Sequence, residues 1–149
     1  MIRTAQAADV EQCLMMLQAF AAASIYDCAE WTEQDLTNAR GLMFNLIRSG
    51  YLLVAERNGQ LIGMIGAQRE QDPWISARTR MRELFWWVDP EFRRSRASAE
   101  LYCRWDQDSS RWLKEGLVSQ VSLSTQPGGS NIDLNNRGWQ CVEQHWIKG

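Results

Sequence analysis

The dipeptide Asn58-Gly59 constrains this chain more than any other feature. It separates two strand-like runs, Tyr51-Leu-Leu-Val-Ala-Glu-Arg57 and residues 60–69. Both turn residues accept positive φ, which a two-residue turn matched to strand twist demands, so the pair predicts a β-hairpin. Gly63 and Gly66 fall inside the returning strand and predict a bend or a close approach there. Residues 70–81, with Asp72-Pro73, read as a loop. Residues 82–88 then form a third strand, ended by Asp89-Pro90. Simple alternation puts Leu84, Trp86 and Val88 on one face of it and Glu83, Phe85 and Trp87 on the other.

Helical patterns flank this strand core. Ile2 opens a short first strand. Val10, Cys13, Leu14, Leu17, Phe20 and Ala21 recur at helical spacing over residues 9–23, with Asp9 and Gln12 read as a capping box. Thr32 caps a second helix with Asp35 in its first turn, and Leu36, Ala39, Met43, Leu46 and Ile47 line one side. Gly50 stops it, and Gly41 weakens it slightly. After the third long strand the pattern predicts a helix over 97–116, supported by Leu101, Trp105, Trp112 and Leu113. A strand over 117–125, a loop at Pro127-Gly128-Gly129, a short helix over 131–137 and a last strand over 140–148 complete the chain. The order β-α-α-β-β-β-α-β-(α)-β predicts a three-layer α/β domain spanning 1–149, with a mixed sheet of six or seven strands between helices.

Composition excludes several functions. Lys and Arg total 16 against 18 Asp and Glu, for a net charge of −2, which argues against a dedicated nucleic-acid binder. Cys13, Cys28, Cys103 and Cys141 are widely spaced and His145 is the only histidine, so no metal site is expected. The absence of a secretory leader favours reduced thiols in a cytoplasm. No apolar run approaches the ~18 residues of a membrane span. The eight tryptophans read first as packing residues, and some offer rigid faces for a cleft. With an exposed final strand, they favour a homodimer.

The chemistry concentrates in residues 83–102, a strand, a turn and a helix start. Unpaired N–H groups and a partial positive charge make a helix N-terminus a ready phosphate site. Arg93, Arg94 and Arg96 stand beside it, and a solvated basic turn is the bland alternative. Glu83 is the candidate general base, or else a surface partner for Arg80 or Arg82. His145 reads as structural.

This strand–turn–helix resembles motif A of the GNAT acetyltransferases, usually written Q/R-x-x-G-x-G/A and here occupied by Arg93, Arg94, Ser95, Arg96, Ala97 and Ser98. The opening Ile-Arg-Thr-Ala-x-x-x-Asp-Val and the late Gly138-Trp139 pair resemble the same family, as does the element order. The resemblance implies acetyl-CoA as cosubstrate. Its pyrophosphate would lie on the backbone N–H groups of Arg94, Ser95, Arg96, Ala97, Ser98 and Ala99, after Arg93. Its pantetheine arm would pair with Trp86, Trp87 and Val88, in a slot between splayed fourth and fifth strands. It further implies an amine acceptor held by residues 25–31, where Tyr26, Asp27, Glu30 and Trp31 suit a cation, with Trp74, Trp139 and Trp146 as further walls. The implied activity is N-acetyl transfer to a primary amine of a small molecule or protein. The alternative is a catalytically degenerate member that binds CoA or another protein. Three positions depart from the family pattern: Arg96 replaces a glycine, Pro127 an asparagine, and Leu134 the tyrosine that protonates the thiolate.

Overall fold

A five-stranded sheet in the order β1-β2-β3-β4-β5 organises the molecule. The structure is a computed structural model and describes residues 1–24, 30–125 and 132–149. The expectations for Tyr26, Asp27, Cys28 and Pro127-Gly128-Gly129 lie outside those residues. The strands are β1 (Ile2–Thr4), β2 (Tyr51–Arg57), β3 (Gln60–Gln71), β4 (Thr79–Val88) and β5 (Gln120–Ser122). The helices are α1 (Val10–Ala23), α2 (Glu33–Ser49) and α3 (Ala97–Lys114). Strands β1 to β4 pair antiparallel, and β5 joins β4 in parallel.

The β2–β3 turn forms as its residues demand, with φ of 52° at Asn58 and 79° at Gly59. Period-two alternation then divides the sheet into two apolar faces. Leu52, Val54, Met64, Phe85 and Trp87 pack toward Cys13, Leu14 and Leu17 of α1 and Met43 and Leu46 of α2. Leu53, Ala55, Ile65, Met81 and Val88 pack toward Leu101, Trp105 and Trp112 of α3. Each aliphatic side chain buried in these layers contributes about 1.5–3 kcal/mol. The three-layer arrangement follows from this double burial.

Polar anchors fix the helices on the sheet. Thr32 and Asp35 form a reciprocal capping box on α2. Asp9 has a different task from the one its spacing suggested. It ends a 3-10 turn, accepts from the Gln6 backbone N–H, and holds the Arg3 guanidinium at 2.7 Å. Gln12 is no capping partner either; its Oε1 accepts the Leu61 N–H at 3.1 Å. On the opposite face the Tyr51 hydroxyl donates to the buried Asp108 carboxylate at 2.7 Å, which Arg104 and Arg111 also grip.

The C-terminal part departs most from expectation. The strand foreseen over 117–125 shrinks to Gln120–Ser122, and the helix over 131–137 to a 3-10 turn at Asn135–Arg137. Residues 140–148 are exposed and form no strand, because no neighbouring strand takes their backbone groups among the described residues. The sheet accordingly has five strands among the described residues, not six or seven.

Gly66 is the tightest point of the sheet. A Cβ there would stand 2.2 Å from the Phe85 ring, which is buried on the α1 face and has nowhere to go. Gly66→Ala should therefore destabilise by about 1–3 kcal/mol in chemical denaturation. Gly41, with open space around it, should behave oppositely: Gly41→Ala should stabilise by about 0.5–1 kcal/mol.

Candidate functional site

β4 and β5 run together for three residue pairs and then part. The last pair is Arg82 with Ser122. At the next residue, Glu83, the side chain rather than the backbone bridges to the neighbouring chain: its carboxylate accepts the Ser124 N–H at 3.1 Å. The β3–β4 register shifts at the same place. Gly66 opposes Phe85 while Ala67 opposes Glu83, which leaves Leu84 as an extra residue, a β-bulge. The bulge also revises the faces expected for β4. Leu84 joins Phe85 and Trp87 on the α1 side, and Glu83 falls two residues from Met81, on the α3 side. Beyond the bulge, the outer edge of β4 from Trp86 to Val88 has no strand beside it among the described residues.

Glu83 sits at the apex of this wedge and is 7% exposed. The surface ion-pair reading of Glu83 does not hold: Arg80 and Arg82 both pair with Glu70 instead. Burial raises the Glu83 carboxyl to about 7, against the smaller opposing pull of the Ser124 N–H and the Arg82 charge. At neutral pH it is therefore divided between acid and base forms.

At the far end of β4 the chain turns sharply into α3. Asp89 accepts the Trp87 indole N–H at 2.8 Å. Arg93 donates from Nε to the Val88 carbonyl at 3.0 Å and lies 4.6 Å over the Trp87 ring. Its guanidinium thus braces the turn. The Ser95 hydroxyl donates to the Phe92 carbonyl and accepts the Ala97 N–H, at 2.6 and 3.2 Å. The N–H groups of Arg93 and Ser95 are taken by the Pro90 and Phe92 carbonyls. Those of Arg94, Arg96, Ser98 and Ala99 have no partner among the described residues. Four of the backbone donors foreseen as a phosphate cradle are therefore free, and Ser95 and Ala97 are spent within the turn. Arg96, at φ −70° and ψ −13°, is helical and exposed, so the position does not require glycine.

A cluster that sequence reading missed lies along the α3 flank. Trp86 stacks on Tyr102, Arg137 lies 5.1 Å over the Tyr102 ring, and Trp139 donates to Asp106 at 3.1 Å. The only sequence signal for it was the Gly138-Trp139 pair. The Trp86 indole N–H is buried without a partner. Leu134, which caps the 3-10 turn before this cluster, carries no proton to donate. His145 is exposed and lies 3.4 Å from Glu143. Trp74 and Trp146 are almost fully exposed, whereas Trp31 packs against the α1 core. Among the described residues no cluster of His, Cys, Asp or Glu is arranged to hold a metal, and no helix is long and apolar enough to cross a membrane.

The raised Glu83 has a consequence for stability. Folding favours its neutral form, so its contribution is fully present below pH ~4.5 and is lost as the pH rises through about 7. The shift from 4.5 to about 7 corresponds to roughly 3 kcal/mol. Glu83→Gln keeps an acceptor for Ser124 without the charge. It should flatten this decline, leaving the variant more stable than wild type at pH 8 but not at pH 4; parallel denaturation curves at both pH values test it.

Comparisons with known proteins agree with this architecture. The structure is similar to a transcriptional regulator from Bacillus halodurans C-125, at 16% identity and a TM-score of 0.70 over 100% of this chain and 98% of that one. It is similar to a possible acetyltransferase from Clostridium difficile 630, at 15% identity and a TM-score of 0.69 over 100% and 96%. A predicted acetyltransferase with acetyl-CoA from Clostridium acetobutylicum matches at 15% identity and a TM-score of 0.68 over 99% and 94%. At such identities these likenesses speak for the fold alone. No curated protein matches the sequence. The sequence profile of the acetyltransferase (GNAT) family matches residues 16–104, more than half of the chain and the whole stretch from α1 through the wedge into α3. The chain belongs to the GNAT acetyltransferase family.

Proposed function

We propose that the chain uses acetyl-CoA to acetylate a primary amine of a small molecule or a protein, by direct attack of the amine on the thioester. The single observation that carries this reading is the wedge. Its apex holds a buried carboxyl near neutrality, its wall is an unpaired strand edge, and four free N–H groups end it. Arg94, Arg96, Ser98 and Ala99 would hold the diphosphate through their backbone, aided by the positive end of α3. The edge from Trp86 to Val88 would pair with the amide-bearing arm. Arg93 acts here by fixing the turn rather than by touching phosphate.

Acetyl-CoA supplies an activated acyl carbon. The protein must do the rest: strip one proton from an ammonium so that its nitrogen can form the new C–N bond as the C–S bond breaks. Glu83, poised at about 7, is suited to take that proton directly or through one water. With Leu134 in place of a phenol, the leaving thiolate takes its proton from water, which is made good by the second proton the nitrogen sheds as it becomes an amide. The free, exposed Cys103 and Cys141 are in keeping with the cytoplasm as its compartment, where thiols stay reduced. A second copy of the chain is counted among its partners. The lack of a proton donor at Leu134 also favours a second reading, a member that binds the cosubstrate without transferring its acetyl group.

Calorimetric titration with acetyl-CoA should show saturable binding. Ser98→Pro removes one free donor in a first turn that tolerates proline, and should weaken binding about tenfold, whereas Ser98→Ala should not. No heat with wild type at saturating ligand sinks both readings. Thiol release with a panel of polyamines and lysine peptides separates them. For the enzyme, kcat/KM should rise with pH to a plateau above about 7, and Glu83→Gln should lower it about 10²–10³-fold and erase that limb.

A further inference from the structure

We propose that the tip of the β3–β4 hairpin is a docking surface for an acidic polypeptide segment with an apolar anchor, and that the acetyl acceptor is accordingly a protein; the identity of the acceptor rests on the transfer reading above. Trp74 is 88% exposed and Ile75 42%. A tryptophan on a loose loop would lose conformational freedom on binding, but this one is held. Asp72 Oδ1 accepts the N–H groups of Trp74 and Ile75 at 2.8 and 2.9 Å. The Ile75 carbonyl accepts the Arg78 N–H, and the Arg78 carbonyl accepts the Asp72 N–H, both at 2.9 Å. The Gln71 amide spans the tip and donates to the Ser76 and Arg78 carbonyls. The turn is thus ordered before any partner arrives.

Charge points to the kind of partner. Residues 68–82 carry Arg69, Arg78, Arg80 and Arg82 against Glu70 and Asp72, a local charge of +2 in a chain of net charge −2. Both acids are engaged within the hairpin, Glu70 by Arg80 and Arg82, and Asp72 by Arg80. Arg69 and Arg78 are exposed and form no salt bridge among the described residues. A held tryptophan and unpaired arginines in one hairpin tip are the residue types that dominate protein–protein hot spots. Their complement is an apolar side chain flanked by carboxylates. Lipid and nucleic acid fit less well. Two apolar side chains bury less than one acyl chain, which alone holds a membrane only marginally. A nucleic-acid strand tracks a longer basic stripe than two arginines provide.

The position of the tip suits an acceptor. A cosubstrate laid along Trp86–Val88 takes the C-terminal half of β4, and the tip lies beyond the other end, at Thr79. Thr79 to Glu83 is roughly 13 Å at about 3.3 Å per residue. A chain whose amine reaches Glu83 therefore needs about six further extended residues to arrive at Trp74.

Fluorescence anisotropy with labelled peptides, run without acetyl-CoA, tests docking apart from transfer. The probes join a lysine to Glu-Glu-Leu-Glu-Glu through a Gly-Ser spacer of about six residues, placed on either side of the lysine. One control carries glutamine for each glutamate, and another carries lysine. The wild type should bind an acidic probe at least about tenfold more tightly than both controls. Trp74→Ala should weaken that binding about tenfold. Arg69→Glu with Arg78→Glu should transfer the preference to the lysine control. All three side chains are exposed, so thermal unfolding of these variants should match the wild type. In thiol release the same substitutions should raise KM for the acidic probe about tenfold and leave kcat in place. An acidic preference without thiol release would uphold the docking surface and sink the transfer reading. Equal binding of all the peptides would overturn the proposal, as would a preference indifferent to the tip substitutions. Tighter tip-dependent binding of phosphatidylglycerol vesicles or of a single-stranded oligonucleotide would overturn it too.

Discussion

The parting of β4 from β5 is the constraint on which the rest depends. A parallel strand pair closes its hydrogen bonds continuously unless something interrupts it. Here the interruption is the extra residue at Leu84, made possible by the missing side chain at Gly66. The ring of Phe85 fills that space, and β4 parts from β5 beside it. Glu83 then spans the gap with its carboxylate and is buried in doing so, which is what lifts its affinity for a proton. One packing event in the core thus yields the slot, the unpaired edge and the tuned acid.

The turn that follows depends on the same geometry. Val88, freed from a strand neighbour, offers its carbonyl to Arg93, and Trp87 lends its ring face and its indole N–H to the same corner. A helix launched from so rigid a corner keeps its first N–H groups aimed at one place. This spares it the side-chain cap it lacks: no side chain caps α3 at its Arg96 N-cap position, although Thr32 caps α2.

Much of this is legible in the sequence alone. Asn58-Gly59 fixed the hairpin, the spacing of apolar residues fixed the helices, and Asp89-Pro90 marked the turn, because these are local signals. What escaped was set by contacts between distant residues. Alternation alone put Glu83 with Phe85, since a bulge has no residue signature of its own. The spacing of Asp9 and Gln12 suggests a cap because the bond from Asp9 to Arg3 leaves no local sequence signal. The Tyr102–Arg137–Trp139 cluster joins segments more than thirty residues apart. For residues 140–148 the pattern is that of a strand, but a strand is a property of a pair, and the partner is not written in the segment itself.

Arg96 carries one more implication. A grip made by main-chain nitrogens asks little of the side chains above it, so these can serve another end. In a molecule of net charge −2, exposed Arg94 and Arg96 place positive charge at the corner where β4 turns into α3. A polyanion approaching such a surface is guided toward that corner before it makes any contact, and added salt would slow its arrival far more than hasten its departure.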